Sequence, residues 1–124
     1  MSKPDKSSAQ GAYLVVVSDY IVSQDLAETV ADFVPDAKVI VRPTIGDALQ
    51  ALERVERVAV AFVGDRPARF ANSPLAAMIH AKGGRVVLLG DEAEVEGPAE
   101  GWAVLQRPFS LSLVQTLLAS SISV

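Results

Sequence analysis

Asp19, Asp65 and Arg107 are the side chains of this sequence best placed to do chemistry together. Each stands just beyond the end of a short apolar run. Ser18-Asp19 follows Tyr13-Leu14-Val15-Val16-Val17, and Gly64-Asp65-Arg66-Pro67 follows Val58-Ala59-Val60-Ala61-Phe62-Val63. Gln106-Arg107-Pro108-Phe109 follows Trp102-Ala103-Val104-Leu105, and two further run ends present Thr44 and Gly90-Asp91. Carboxylate oxygens suit a hard divalent cation such as magnesium, and a guanidinium suits a phosphoryl group. Two acids and a cation meeting in one crevice would therefore fit phosphoryl chemistry.

For these residues to meet, the runs must be neighbouring strands of one sheet. The runs are rich in β-branched residues and mostly lack polar alternation, as parallel strands covered on both faces do. The remaining two are Ala37-Lys38-Val39-Ile40-Val41 and Arg85-Val86-Val87-Leu88-Leu89. Helical stretches separate them. Val22, Leu26, Val30 and Phe33 recur on one helical face, and Pro35 ends that helix. Thr44-Ile45-Gly46-Asp47 fits a capping box ahead of the stripe Ile45, Ala48, Leu49, Leu52 and Val55. Ser73-Pro74 supplies an N-cap with proline at the first helical position, and Gly83-Gly84 supplies the stop. A last helix is expected from Ser110 through Leu111, Leu113, Val114, Leu117 and Leu118. Right-handed crossovers then build a doubly wound α/β fold with a five-stranded parallel sheet. The fourth crossover, 91–101, holds Gly97-Pro98 and a cluster of acids, so a single turn or a loop is expected in place of a long helix.

Residues 1–12 read as a disordered polar tail and 13–124 as one domain, with no attached output domain expected. Half of the 124 residues are hydrophobic, as in a folded globular protein. The net charge of −4, with mixed signs, argues against direct nucleic-acid binding. There is no signal-like apolar segment and no run long enough to span a membrane, and cytoplasmic location is expected. The absence of cysteine excludes disulfides and thiol chemistry, and a single histidine, His80, excludes a histidine-cluster metal site. His80 reads as a solvated residue at a helix end, and Trp102 as packing at the start of a strand.

From Tyr13 to about Ser120 the chain resembles the receiver domains of response regulators, which implies a flavodoxin-like sheet order of 2-1-3-4-5. The resemblance implies that Asp65, with Pro67 close behind it, matches the phosphoacceptor. Asp19 matches the second acid of a magnesium-binding pair, with Ser18 in place of the first. Gly90 falls at a position usually held by Thr or Ser, and Arg107 at that of a lysine. Pro108 would follow a cis peptide bond in that family. The departures weaken the site. Ser18 removes a metal-binding charge, Gly90 removes a hydroxyl, Arg107 is not equivalent to lysine, and Val104 replaces a switching aromatic residue.

The reading is a stand-alone receiver-like signalling protein of a two-component phosphorelay, with Asp65 as candidate phosphoacceptor in a degenerate site. It is not expected to be an enzyme but a signalling phosphoacceptor domain, with self-phosphorylation from a donor left open. Magnesium would bind weakly through Asp19 and Asp65, and no other cofactor is expected. Partners would be a histidine kinase or phosphotransfer protein and a downstream protein, and the chain would be a monomer or weak homodimer. A pseudo-receiver acting as a phosphorylation-independent interaction module is the alternative. A flavodoxin-like domain binding a small ligand is less favoured, because no phosphate-cradling loop is present. Locally, Asp65 could instead cap the next segment or pair with Arg66 or Arg69, Asp19 could cap a helix, and Arg107 could pair with Asp65 or Asp19.

Overall fold

The computed structural model describes residues 11–65, 67–90, 93, 102–104 and 114. The tail, nearly all of 91–101, Arg66, the Arg107-Pro108 pair and the last helix except Val114 lie outside these residues. Strands β1 (Ala12–Val16), β2 (Val39–Arg42), β3 (Val58–Gly64), β4 (Arg85–Leu89) and β5 (Ala103–Val104) form one sheet in the order β2-β1-β3-β4-β5. Every pairing is parallel. The helices between them are α1 (Tyr20–Phe33), α2 (Ile45–Leu52), α3 (Pro67–Ala71) and α4 (Pro74–Ala81). β1 begins at Ala12, one residue ahead of the apolar run read from the sequence.

The continuous apolar runs are explained by the two faces of the sheet. Leu14, Ala61, Val63 and Leu88 face α2, α3 and α4, packing with Leu52, Phe70, Leu75 and Ile79. Tyr13, Val15, Phe62 and Val87 face the other way, against Leu26 and Val30 of α1 and against Val114. Because successive residues of a strand point to opposite faces, a strand with both faces covered must be apolar throughout. Burial of each large side chain contributes about 1.5–3 kcal/mol.

The helix boundaries follow their caps. Asp19 caps α1, with Oδ1 accepting from the N–H groups of Ile21 at 3.0 Å and Val22 at 3.2 Å. α1 stops at Phe33, ahead of Pro35. Thr44 Oγ1 accepts from Asp47 N–H at 3.1 Å. Its reciprocal bond from the Asp47 carboxylate is not made among the described residues; aspartate is one methylene shorter than the Glu of a full capping box. Ser73 caps α4 by accepting from Ala76 N–H at 3.2 Å, with Pro74 at the first helical position. Past Ala81 the backbone reverses through Gly83 at φ +80°, a conformation glycine adopts without steric cost.

α3 is an element the sequence pattern did not reveal. Five residues are too few for a helix to be stable alone. Its inner side is buried through Pro67 and Phe70. Its end is tied to α4, since Ser73 donates to the Phe70 carbonyl through both its hydroxyl (2.7 Å) and its backbone N–H (2.9 Å). Phe70 therefore fixes the position of its neighbour Arg69.

Candidate functional site at the carboxyl edge of the sheet

All five strands run in one direction, so their carboxyl ends share one edge. The chain passes from β1 outward to β2 and then returns to β3 on the other side of β1. The crevice between β1 and β3 is thus the switch point, where ligands of open parallel sheets bind. Val16 pairs with Val63 there, and the chain beyond each brings Asp19 and Asp65 to the same crevice. Gly64 pairs with Leu89, which places Gly90 beside Asp65 on the next strand.

Asp65 is the most unusual group at this edge. Its side chain is only 11% exposed, and the Oδ2 atom is buried without a hydrogen-bond partner among the described residues. Oδ1 lies 3.9 Å from Arg69 Nε, one helical turn on, and the Arg69 side chain is 74% exposed. At that distance the contact is an ion pair and not a hydrogen bond. The pairing with Arg69 weighed from the sequence is therefore present. Burial of Oδ2 is not readable from sequence.

Asp19 and Ser18 are both exposed. Asp19 performs the helix-capping role through Oδ1, and its Oδ2 has no hydrogen bond among the described residues. Among the described residues no group of three or more His, Cys, Asp or Glu side chains is arranged to hold a metal ion. Among the described residues, the edge offers a hard cation the carboxylates of Asp65 and Asp19 and the Ser18 hydroxyl, a sparse but chemically suitable oxygen set.

Gly90 differs from the sequence reading in kind. Its φ is +123°, which L-residues rarely adopt, while a Cβ built there would meet nothing within 4 Å. The missing hydroxyl thus goes with a backbone turn that a serine or threonine would not readily follow.

His80 is exposed in the last turn of α4, as expected of a histidine compensating a helix end. Trp102 packs against the core just before β5, and its buried Nε1 lacks a hydrogen-bond partner. Two residues at the site went unremarked in the sequence. Tyr20 and Ile21, in the first turn of α1 beside Asp19, are 74% and 71% exposed. Their signal was their position off the Val22, Leu26, Val30, Phe33 stripe. An open hollow of about 630 Å³ beside β2 and α2, lined by Lys38, Arg42 and Arg54 among others, holds none of the edge residues. Lys38, Arg42 and Pro43 there guard an edge strand against further pairing.

No protein-family model matches the chain, and no curated protein matches its sequence. Solved structures do match its fold. The solution structure of SdrG from Sphingomonas melonis Fr1 superposes with a TM-score of 0.69 at 18% identity, covering 94% of this chain and 98% of that one. The crystal structure of a response regulator receiver domain protein from Bacillus halodurans C-125 superposes with a TM-score of 0.66 at 15% identity, covering 89% and 95%. The chain therefore has the receiver fold: a five-stranded parallel sheet in the order 2-1-3-4-5 with helices on both faces.

Proposed function

We propose that this chain is a receiver-like signalling protein of a cytoplasmic two-component phosphorelay, taking a phosphoryl group onto Asp65 from a histidine kinase or phosphotransfer protein. The observation that carries this reading is the orphaned, buried Asp65 Oδ2 at the switch-point crevice. A carboxylate oxygen with no internal partner is costly to keep. The carboxylate that carries it is held by no hydrogen bond among the described residues and keeps 11% exposure, through which a donor can reach it. Attack on the phosphorus of a phosphoramidate forms an O–P bond as the N–P bond breaks, and the leaving nitrogen takes a proton from water.

Magnesium would be held weakly by Asp19 and Asp65 with the Ser18 hydroxyl, and would supply charge neutralisation for the incoming phosphoryl group. Asp65 supplies the accepting oxygen, and its carbon is held in place by β3. Tyr20 and Ile21 give the donor protein an exposed apolar foothold beside the crevice. A downstream protein would then read the modified edge.

A pseudo-receiver is the second reading, and the Gly90 backbone favours it, since a phosphoryl group would find no hydroxyl there. Incubation with magnesium and acetyl phosphate, followed by intact mass, separates the two. The expected result is a phosphate adduct in the natural protein that is absent from Asp65→Asn. No adduct with acetyl phosphate or with any cognate kinase would leave the interaction module.

A further inference from the structure

We infer that Arg69 is the charge-neutralising residue of this site: it stands beside Asp65 Oδ1 and offers its N–H groups to the arriving phosphoryl oxygens. This rests on the proposed phosphorylation of Asp65 and assigns the cation that serves it.

The geometry separates the two carboxylate oxygens. Oδ1 faces Arg69 Nε at 3.9 Å, and Oδ2 is buried with no hydrogen bond. The remaining exposure of the carboxylate, 11%, lies outside Oδ2, so an arriving phosphoryl group meets the side of Asp65 that faces Arg69. The guanidinium is close enough to pair but too far to hydrogen-bond, and none of its five N–H donors is used within the described residues. A planar fork with all donors free matches phosphoryl oxygens in bidentate fashion. At 74% exposure Arg69 is also reachable by a donor arriving from solvent.

The position is fixed by the fold. Residues four apart on one turn face each other, and α3 is anchored by the burial of Phe70 immediately after Arg69. The charge is needed because Ser18 lends no negative charge to a metal site, and no cluster of three acids forms among the described residues. A cation built into the chain thus does what a weakly bound metal does poorly.

In the transfer itself, a lone pair of the Asp65 carboxylate attacks phosphorus and the O–P bond forms. The bond from phosphorus to the donor nitrogen, or to the acyl oxygen of acetyl phosphate, breaks with its electron pair. The leaving imidazole takes a proton from water, whereas acetate leaves as the anion. Arg69 donates hydrogen bonds to the non-bridging oxygens and transfers no proton.

The test uses the full chain with acetyl phosphate, with and without magnesium, read as the rate of adduct formation by intact mass. Arg69→Gln and Arg69→Lys are compared with Arg57→Gln, an exposed arginine before β3 at the opposite end of the strand. Binding of beryllofluoride, a phosphoryl mimic that needs no transfer step, is measured in parallel by fluorine NMR. The expected result is at least about a tenfold slower reaction in Arg69→Gln, partial rescue in Arg69→Lys, and the natural rate in Arg57→Gln. The residual rate in Arg69→Gln should depend more strongly on magnesium than the natural one. Natural-rate phosphorylation of Arg69→Gln overturns the inference and leaves phosphorylation of Asp65 standing. If the natural protein forms no adduct, the phosphoacceptor reading fails, and beryllofluoride then decides. Capture by the natural chain but not by Arg69→Gln retains Arg69 as the anion's counter-charge, whereas equal or absent capture overturns it.

Discussion

Replacing Asp65 by asparagine should stabilise the fold, and the size of the gain follows from the surroundings of the two oxygens. Oδ2 is buried and unpartnered. A buried polar atom without a partner costs about 1–3 kcal/mol, and more when it is charged. The compensating interaction is the Arg69 contact at 3.9 Å, whose partner is 74% exposed. Ion pairs exposed to that degree contribute about 0–1 kcal/mol. Asparagine keeps the shape, removes the charge and forfeits the pair, so a net gain of about 1 kcal/mol is expected. For a domain of this length that corresponds to a rise in Tm of roughly 3–6 °C. Urea denaturation is the suitable assay, with an increased midpoint at unchanged m. A loss of about 1 kcal/mol or more would refute the reasoning, because it would mean that Oδ2 has a protein partner. A loss of about 3–5 kcal/mol is the signature of a broken buried ion pair, as an Arg107–Asp65 pairing would produce.

Gly90→Ser should destabilise the protein by about 1–3 kcal/mol through its φ of +123°, in spite of the open space around it. It should not accelerate adduct formation from acetyl phosphate; a faster reaction would show that only the hydroxyl was lacking. Tyr20→Ser with Ile21→Ser should leave the urea midpoint nearly unchanged, since both side chains are exposed. The same pair should slow transfer from a partner protein while sparing transfer from acetyl phosphate, and equal slowing of both would remove the foothold. Burial pushes the Tyr13 phenol above its usual value of 10.0. The folded state therefore holds that proton more tightly than the unfolded state, so this stabilisation is intact below about pH 10 and is lost as pH rises through the folded value. Alkaline unfolding followed by circular dichroism should begin at higher pH in Tyr13→Phe, and an unchanged onset would assign it to other groups.

The strands were legible because burial on two faces leaves no polar alternation, as in Val58–Gly64. α1 was bounded by its own chemistry, with Asp19 accepting the first N–H groups and Pro35 just past the end. α3 was not legible: five residues carry too little periodicity, and its stability comes from Phe70 entering a core built by distant strands. The candidate site was readable in position but not in state. Parallel strands bring Asp19, Asp65 and Gly90 to one edge, and the alternation of elements predicts parallel strands; their order came with the receiver resemblance. Whether a carboxylate oxygen there is wet, bonded or orphaned depends on packing among α3, β3 and β4, which no local pattern encodes. Gly90 illustrates the same limit. Its residue type announced a missing hydroxyl, whereas its φ shows that the backbone changed with it.

These departures act together on the charge of the crevice. An acid is absent at Ser18, and a guanidinium is present at Arg69, so two steps in the same direction make the surroundings of Asp65 less negative. A divalent cation is attracted less by such a site, and an incoming phosphoryl dianion is repelled less. Asp19 adds little to the deficit, because one of its oxygens is committed to the α1 backbone. The loss of metal-binding charge and the gain of a nearby cation are therefore complementary: each would impair a site that depended on tightly bound magnesium, whereas together they favour an Asp65 whose counter-charge is built into the chain.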